Sequence, residues 1–382
     1  MKILYTNFHG GDGGGHTTYV LTLARALAGR HDVTVAAPAS SRLYARASEN
    51  PSLRAIPLPF STRVGRLWRE CLSLRRFLRR ELFDIVHVNG SVDHRLVMLS
   101  IMGMGGKRPS VVYTKHNDLW AGSTGNLMRA RFATDRVVCV CEYTRRALSA
   151  SPYSDCGLRV VHNGVDTDYY SPFNAADTQA ARRQWVPQAG DDALLVGSNA
   201  GTPDYKGWID MVKAVAELPE TQRRRVYVLL AGRPPTEAQR AQVEHLGMSG
   251  NVVFAGLLQD VRPFIAALDL GFVLSHQETI SFACREMMAM GKPVIVSRVG
   301  GLPENVTPGR DGWIVPSRTP KASTQILQEL LDDRSVLARL GAEARQRSLR
   351  EFSLDTFVQG TEAVYQELMD AHSGRALTLP PG

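Results

Sequence analysis

The stretch SHQETISFACREMMAMGKPVIVSRVGGLPENV, residues 275–306, places two glutamates around the start of a predicted helix. It continues from an apolar run, LGFVLS (270–275), that has the composition of a buried strand. Glu278 lies in the turn after that strand, and Glu286 lies inside the helix. The free N–H groups of a helix N-terminus favour an anion, and carboxylates accept hydrogen bonds from sugar hydroxyls. The pattern therefore fits a site for a diphosphate and a ribose, but a capped, solvated helix would show the same two glutamates.

The rest of the chain repeats this strand-then-helix order. Amphipathic helices are predicted at 16–29, 63–82, 92–103 and 142–150, with further helices in the second half and a mostly helical stretch from 319 to 371. Such alternation predicts an α/β protein with parallel sheets covered by helices on both faces. Runs rich in β-branched residues predict strands at 2–6, 32–37, 84–88, 110–115, 136–140, 158–161, 193–198, 225–232, 251–256, 270–275, 293–297 and 312–316.

A polar stretch rich in turn residues, 166–181, interrupts the alternation and marks a domain junction. The sequence therefore predicts two doubly wound, Rossmann-like domains, 1–175 and 176–354, that face each other across a cleft. Residues 372–382 lack periodicity and are expected to form a loose tail. In doubly wound sheets ligands bind beyond the carboxyl ends of the strands, so the loops after strands are the place to look for a site.

Composition limits the class of protein. The 382 residues are 44% apolar, which is enough for a sizeable core, and the formal net charge of +8 favours an anionic partner. The longest apolar stretch, 96–106, is about half of a bilayer span, and the N-terminus does not resemble a signal peptide. We therefore expect a cytoplasmic protein, at most peripheral to a membrane. The cysteines show no zinc-type spacing and are expected to be buried thiols: Cys71, Cys139, Cys141, Cys156 and Cys284.

A glycine-rich loop, NFHGGDGGGHTTYV (7–20), separates the first strand from the first helix. The dinucleotide fingerprint G-x-G-x-x-G fails here because His16 occupies the third glycine position, and no acidic residue ends the second strand. Glycines let a ligand approach the backbone closely, and the helix that follows favours an anion. The loop is either a flexible connection or a contact for a phosphorylated ligand.

Several motifs in order resemble the retaining glycosyltransferases of the GT-B fold, family 4 type, over nearly the whole chain. These enzymes carry P-S-x-x-E-G-F-G-x-x-x-x-E-A-M-A-x-G-x-P-V-I followed by G-G-x-P-E, and residues 275–306 follow that pattern closely. The other matching segments are the glycine loop, TKHND (114–118), VCEYTRRAL (140–148), HNGVDTDYYSP (162–172) and DYKGW (204–208).

The resemblance implies transfer of a sugar from a nucleotide-sugar to a hydroxyl, with retention at the anomeric carbon. Glu286 would bind the ribose, Glu278 the sugar hydroxyls, and Lys206 the diphosphate leaving group, while His116 would lie near the anomeric centre. A fixed cation at the leaving group lowers the barrier, so no metal is expected, and a DxD motif is absent from the sequence. The backbone positions implied in donor binding are Gly13, Gly14, Gly15, Thr279, Ile280, Ser281 and Phe282.

The chain departs from the family pattern at several positions. Ser198 stands where an arginine usually joins the lysine at the diphosphate, and Arg298, Arg233 or Arg145 are candidates to replace it. Cys141 replaces a serine, and E-G-F-G is altered within residues 278–282. These departures leave the reaction class unchanged but leave the donor open between a UDP-sugar and a GDP-sugar.

A basic amphipathic helix is predicted within STRVGRLWRECLSLRRFLRRELF (61–83), on the acceptor-side domain. Such a helix suits an anionic membrane face, but an ordinary outer helix with a solvated basic side has the same composition. We find no nucleic-acid motif. His16, Arg75, Arg76 and Arg79 are assigned to the acceptor or membrane side. In similar enzymes a C-terminal helix, here about 355–371, packs back on the N-terminal domain.

The sequence thus predicts a glycosyltransferase that extends a surface glycan, a lipopolysaccharide core or O-chain, on the inner face of the cytoplasmic membrane. Two alternatives remain. One is another enzyme on this fold, a nucleotide-sugar epimerase or a synthase with a soluble product. The other is a nucleotide-sugar-binding protein that has lost its chemistry, for which the missing arginine at Ser198 is the argument.

Overall fold

A computed structural model describes residues 1–61 and 63–377 of the chain. The chain divides into two compact units, one formed by Met1–Asn163 with Asp355–Gly382 and the other by Gly164–Leu354. The division after Asn163 comes earlier than the expected boundary at 175. The helix that begins at Ala175 belongs wholly to the second unit.

The first unit is a parallel α/β fold whose strands and helices alternate along the chain. Its seven strands lie in the order β3-β2-β1-β4-β5-β6-β7. The elements are β1 (Lys2–Thr6), α1 (Gly14–Leu27), β2 (Asp32–Ala37), α2 (Arg42–Ser48), β3 (Arg54–Pro57), α3 (Val64–Glu81), β4 (Ile85–Val88), α4 (Ser91–Ile101), β5 (Ser110–Lys115), α5 (Thr124–Ala133), β6 (Arg136–Cys139), α6 (Glu142–Ser149) and β7 (Leu158–Val160).

The second unit repeats the plan with six parallel strands in the order β10-β9-β8-β11-β12-β13. Three short 3-10 turns, Gly105–Lys107, Asp204–Lys206 and Leu302–Asn305, complete the two units. The elements are α7 (Ala175–Trp185), β8 (Leu194–Ser198), α8 (Trp208–Ala216), α9 (Glu220–Arg223), β9 (Val226–Ala231), α10 (Glu237–His245), β10 (Val252–Gly256), α11 (Arg262–Ala267), β11 (Leu270–Val273), α12 (Phe282–Ala289), β12 (Val294–Ser297), β13 (Gly312–Val315), α13 (Pro320–Asp332) and α14 (Ser335–Glu351).

The predicted class, two Rossmann-like domains with parallel sheets, is confirmed. The central strands are buried on both faces, which explains their continuous runs of Val, Ile and Leu. β3 was missed because its sequence, RAIP, is short and ends in proline, which suits the edge position that it occupies. α5 was missed because TGNLMRARFA leaves several apolar side chains exposed and has no clear amphipathic period. The five cysteines are free and buried, as predicted.

The last helix, α15 (Leu354–Leu377), belongs almost entirely to the first unit. A buried chain of hydrogen bonds attaches it: the Tyr365 hydroxyl lies 2.7 Å from the Tyr5 hydroxyl and 2.5 Å from His87 Nδ1. Nε2 of His87 continues the chain to Thr114 Oγ1, 2.5 Å away.

The stretch expected to form a loose tail, 372–382, overlaps the end of this helix, and residues 378–382 lie outside the described part. None of the helices in the described ranges combines the length and the apolar character that crossing a bilayer requires.

Replacing Tyr365 by Phe tests this attachment. The variant keeps the ring but leaves Tyr5 and His87 without their shared buried partner. We expect the free energy of unfolding, measured by urea denaturation, to fall by about 1–3 kcal/mol. Tyr205→Phe, which removes a hydroxyl from an exposed ring, is the control. Equal stability of the two variants would contradict the role of the buried chain.

Candidate active site

The candidate site of the second unit lies at the carboxyl ends of the neighbouring strands β8 and β11. From β8 the chain continues to β9 on one side of the sheet, and from β11 it continues to β12 on the other side. Doubly wound sheets bind ligands at such a point. The loop after β8 and the loop after β11 are joined there by a hydrogen bond from the His276 amide to the Tyr205 carbonyl, 2.7 Å long. His276 Nε2 also lies 2.8 Å from Asp210 Oδ2 on α8. These contacts fix the two loops against each other.

Two glycines bring these backbones together. Gly207 has a φ of 67°, and a Cβ there would lie 1.9 Å from the Leu274 carbonyl oxygen. Gly300, in the VGGLP loop after β12, has a φ of 55°, and its Cβ would lie 1.8 Å from the Glu278 carbonyl oxygen. Both positions therefore require glycine. The K-G and G-G motifs of the sequence hold the segment around Glu278 from two sides.

Lys206 and Glu278 meet across the two loops. Lys206 Nζ lies 2.6 Å from Glu278 Oε2, and the two side chains are 17% and 15% exposed. The Ser275 hydroxyl donates to the same oxygen at 3.3 Å. Partial burial strengthens the attraction relative to a surface pair, and loss of either partner would leave an uncompensated charge. The lysine and the glutamate, which were predicted from separate motifs, thus form an ion pair in the candidate site.

Glu286 lies inside α12, as predicted. The side-chain amide nitrogen of Asn199, Nδ2, donates a hydrogen bond to Glu286 Oε2 at 2.6 Å. Burial raises the pKa of Glu286, and the hydrogen bond from Asn199 opposes that shift. Burial, followed by the Glu286 charge, raises the pKa of Tyr170, which marks this tyrosine as a neighbour. Neither Asn199 nor Tyr170 was predicted, although a polar residue directly after a strand is the usual signal at this edge of a sheet.

The backbone of residues 279–282 leads into the N-terminus of α12. Thr279 and Ser281 are buried, while Ile280 and Phe282 are partly buried. The Ser281 side chain accepts a hydrogen bond from the Cys284 amide and caps the helix. The positive end of α12 therefore begins in the loop that carries Glu278.

Ser198, in the position expected for arginine, is buried at the end of β8, and its hydroxyl accepts a hydrogen bond from the Ala200 amide.

Of the three candidate replacements, Arg145 lies in the first unit and pairs with Glu142 at 2.7 Å. Arg233 and Arg298 are exposed at the ends of β9 and β12. The Arg233 carbonyl accepts a hydrogen bond from Thr202 in the loop after β8, 2.7 Å away. This bond places Arg233 next to the loop that carries Lys206.

In the first unit the glycine loop forms the start of α1. The helix begins at Gly14, within the glycine run, whereas the sequence predicted a start at residue 16. Gly13 has a φ of 70°, and a Cβ there would lie 2.2 Å from Thr17 Oγ1, so this position requires glycine. The amides of Gly14 and Gly15 precede the first intrahelical hydrogen bonds and are therefore available to a ligand.

Three histidines gather beside this loop. The His16 ring lies 4.6 Å from that of His9 and 4.3 Å from that of His116, and the His116 ring lies 4.5 Å from that of Tyr19. Burial, followed by the charge of neighbouring His9, lowers the pKa of His16 to about 4. Burial also lowers the pKa of His116 well below its usual value, with contributions from His16, His87, His9 and Lys115. At neutral pH these rings are uncharged hydrogen-bonding groups. His9 was not predicted, although it directly precedes the first glycine of the loop.

The predicted residues thus form two groups. Lys206, Glu278 and Glu286 lie together in the second unit, and Gly13, His16 and His116 lie together in the first. Within the described ranges no three His, Cys, Asp or Glu side chains are arranged to hold a metal ion.

Of the arginines assigned to the acceptor side, Arg76 and Arg79 are exposed. Arg75 instead donates to the carbonyls of residues 100, 102 and 103 at the C-terminal end of α4.

Replacing Gly300 by Ala tests the close contact with Glu278. An alanine at positive φ costs about 1 kcal/mol anywhere, and here its Cβ would also collide with the Glu278 carbonyl. Gly309→Ala is the matched control because Gly309 has a φ of 75° and open space around it. We expect a larger fall in thermal midpoint for Gly300→Ala than for Gly309→Ala. Equal falls would show that the contact does not constrain the loop.

The comparison with known proteins supports one family. The sequence model of Glycosyltransferase Family 4 matches residues 13–169, and that of Glycosyl transferases group 1 matches residues 191–333. A crystal structure of Anabaena HepE in complex with UDP superimposes with a TM-score of 0.83 at 20% identity, covering 96% of this chain and 100% of that one. The fold is therefore that of the GT-B glycosyltransferases.

Curated relatives agree with this result. The D-inositol 3-phosphate glycosyltransferase of Corynebacterium glutamicum is 30% identical over 55% of this chain, and the match spans about half, 51%, of that relative's length. The lipopolysaccharide core biosynthesis glycosyltransferase LpsE of Rhizobium meliloti is 25% identical over 96% of this chain and 99% of its own length. The chain therefore belongs to the GT-B glycosyltransferases, with a family 4 domain followed by a group 1 domain.

Proposed function

We propose that this protein is a retaining, metal-independent glycosyltransferase that moves a sugar from a nucleotide-sugar to a hydroxyl of a growing surface glycan. The observation that carries the proposal is the Lys206–Glu278 pair, 2.6 Å apart beside the N-terminus of α12. It combines a fixed cation for a diphosphate with a carboxylate for sugar hydroxyls. Glu286, one turn further along α12, supplies the acceptor for ribose hydroxyls.

Each residue has a role in this mechanism. Without donor, Glu278 neutralises Lys206. When the donor binds, the diphosphate becomes the partner of Lys206 and the N-terminus of α12, and Glu278 turns to the sugar. Negative charge grows on the diphosphate as the glycosidic bond breaks, so a preorganised cation there stabilises the transition state more than the ground state. Retention means that an α-linked donor yields an α-linked product.

The identities of donor and acceptor rest on relatives. HepE has been solved with UDP and with UDP-glucose, which supports a UDP-sugar over a GDP-sugar. LpsE, matched over nearly its full length, acts in lipopolysaccharide core biosynthesis by its name, which supports a lipopolysaccharide core or O-chain as the acceptor.

Donor binding is the first measurement. We expect one nucleotide among UDP-, GDP-, ADP- and CMP-sugars to raise the thermal midpoint, because a ligand that binds only the folded state stabilises it. Glu286→Ala should abolish the shift. Glu286→Ala and Lys206→Ala should each lower kcat/KM at least about tenfold, or about 1.4 kcal/mol in transition-state stabilisation.

Glu244→Ala, which removes an exposed carboxylate from α10, is the control and should behave like the wild type. A shift in the wild type that persists in Glu286→Ala would remove Glu286 from the ribose site. The absence of a shift with every donor would contradict the proposed function. Full activity of Lys206→Ala would remove Lys206 from the mechanism.

A second candidate is a synthase with a small soluble acceptor. The N-acetyl-alpha-D-glucosaminyl L-malate synthase of Bacillus anthracis is 27% identical over 76% of this chain and 76% of its own length. By its name that enzyme makes a small product. Turnover with small polyols or hydroxy acids and no lipid-linked acceptor would favour this candidate.

We also propose that the protein works on the inner face of the cytoplasmic membrane, where the first unit would contact anionic lipid. α4 packs between α3 and α5, so these helices form one layer over the sheet. α3 exposes Arg76, Arg79 and Trp68, whose side chain is 64% exposed. The loop before α5 exposes Trp120, which is 81% exposed, and α5 exposes Leu127, Met128 and Phe132. Arginines with interfacial aromatics are the combination that a charged lipid surface binds.

Vesicle binding tests this surface. A basic residue near an anionic membrane contributes about 1 kcal/mol, so the double variant Arg76→Gln/Arg79→Gln should weaken binding to vesicles containing phosphatidylglycerol on the order of 10-fold or more. The control removes the same charge from the second unit through Arg183→Gln/Arg240→Gln, at two exposed positions. Equal losses from both variants would indicate a nonspecific effect of net charge rather than a defined membrane face.

A further inference from the structure

Asn89 lies at the switch point of the first sheet. It directly follows β4, which pairs with β1 on one side and β5 on the other. The glycine loop begins after β1, and His116 follows β5, so Asn89 lies between the two groups that the sequence singled out. Its side chain is 1% exposed, and a buried amide must find hydrogen-bond partners for all its polar atoms.

The hydrogen bonds of Asn89 fix the orientation of its side chain. Nδ2 donates to the Thr6 carbonyl at 3.1 Å and to the His87 carbonyl at 3.3 Å. Its backbone amide donates to Asp93 Oδ2 at 2.8 Å, and that oxygen also accepts from the Thr6 hydroxyl. A rotation that exchanged Oδ1 and Nδ2 would place an oxygen against two carbonyl oxygens. The amide oxygen is therefore the atom that faces His116.

That orientation determines which nitrogen of His116 carries the proton. His116 Nε2 lies 2.9 Å from Asn89 Oδ1. Oδ1 has no hydrogen, so the bond forms only if Nε2 is the donor. Burial lowers the pKa of His116, so the ring is neutral at pH 7 and has a single N–H. Nδ1 is then an unprotonated acceptor.

We propose that Asn89 is a positioning residue that holds His116 as the Nε2–H tautomer, so that Nδ1 accepts a hydrogen bond from a hydroxyl of the bound sugar. The assignment of the sugar rests on the proposed function, whereas the tautomer rests on the contacts of Asn89 alone. The opposite tautomer would offer a donor on Nδ1 and would leave Nε2 and Oδ1, two acceptors, facing each other. Asn89 thereby selects a hydroxyl that donates a hydrogen bond to Nδ1 of His116.

The imidazole ¹⁵N spectrum of the protein tests the tautomer without any ligand. The signals of His116 are assigned by their loss in His116→Gln. In the wild type at pH 7 we expect Nε2 of His116 to show the protonated shift and Nδ1 the unprotonated shift. A protonated Nδ1 with a bare Nε2 would overturn the proposal, whatever the enzyme transfers.

A pair of substitutions separates positioning from stability. Asn89→Asp and Asn89→Leu both lose the two N–H groups that donate to Thr6 and His87, but only Asn89→Asp keeps an oxygen for His116. We expect Nε2 to remain protonated in Asn89→Asp and the two tautomers to mix in Asn89→Leu. Identical spectra of His116 in the two variants would overturn the role of the acceptor, and both variants are compared only where circular dichroism shows them folded.

Activity provides a second readout, measured with the donor found by thermal shift. Loss of one buried hydrogen-bond partner predicts a fall in kcat of about tenfold in Asn89→Leu with little change in donor KM, and a smaller fall in Asn89→Asp. Equal kcat in the two variants would overturn the catalytic consequence of the tautomer. If the wild type binds no nucleotide-sugar while the spectra behave as expected, the proposed function fails and the positioning role of Asn89 stands.

Discussion

The ion pair between Lys206 and Glu278 is the contact on which the candidate site of the second unit depends. It joins the loops that follow two neighbouring parallel strands and continue in opposite directions. The chain does not connect these two loops directly, so side-chain and backbone contacts must hold them together. Two glycines make the pair possible, because a Cβ at Gly207 or Gly300 would overlap a carbonyl oxygen beside it. A lysine and a glutamate with little access to water hold each other in place, which fixes the cation that we propose binds a diphosphate.

The first unit builds its site on the same topology but with uncharged groups. Burial lowers the pKa of His16 and His116, so the imidazoles beside the glycine loop are neutral. Each neutral ring offers one hydrogen-bond donor and one hydrogen-bond acceptor. The two candidate sites thus differ chemically, because that of the second unit holds a lysine–glutamate ion pair and that of the first unit holds neutral imidazoles that form directional hydrogen bonds.

Ser198 shows how a departure from a family pattern is accommodated. The arginine expected there is replaced by a small buried hydroxyl, and the next residue, Asn199, donates a hydrogen bond to Glu286. The end of β8 thus gives up a cation but keeps a polar contact to the carboxylate that we assign to ribose. The Arg233 carbonyl accepts a hydrogen bond from Thr202 in the same loop, so the backbone of this candidate replacement lies beside the loop that carries Lys206.

The alternation of strands and helices, the two-domain α/β class and the separate motifs around Lys206, Glu278 and Glu286 could be predicted from the sequence, because they depend on local periodicity and on residues close together in the chain. The edge strand β3 and the helices α2 and α5 were missed because their local signal is weak, and the division after Asn163 comes earlier than the expected boundary. The partners of the site residues could not be predicted. Asn199 meets Glu286, Asn89 meets His116, and Tyr365 meets Tyr5 and His87 across 27 to 360 residues of sequence. Those contacts arise only when parallel strands bring their carboxyl ends to one edge, because hydrogen bonding depends on distance in space and not on separation along the chain.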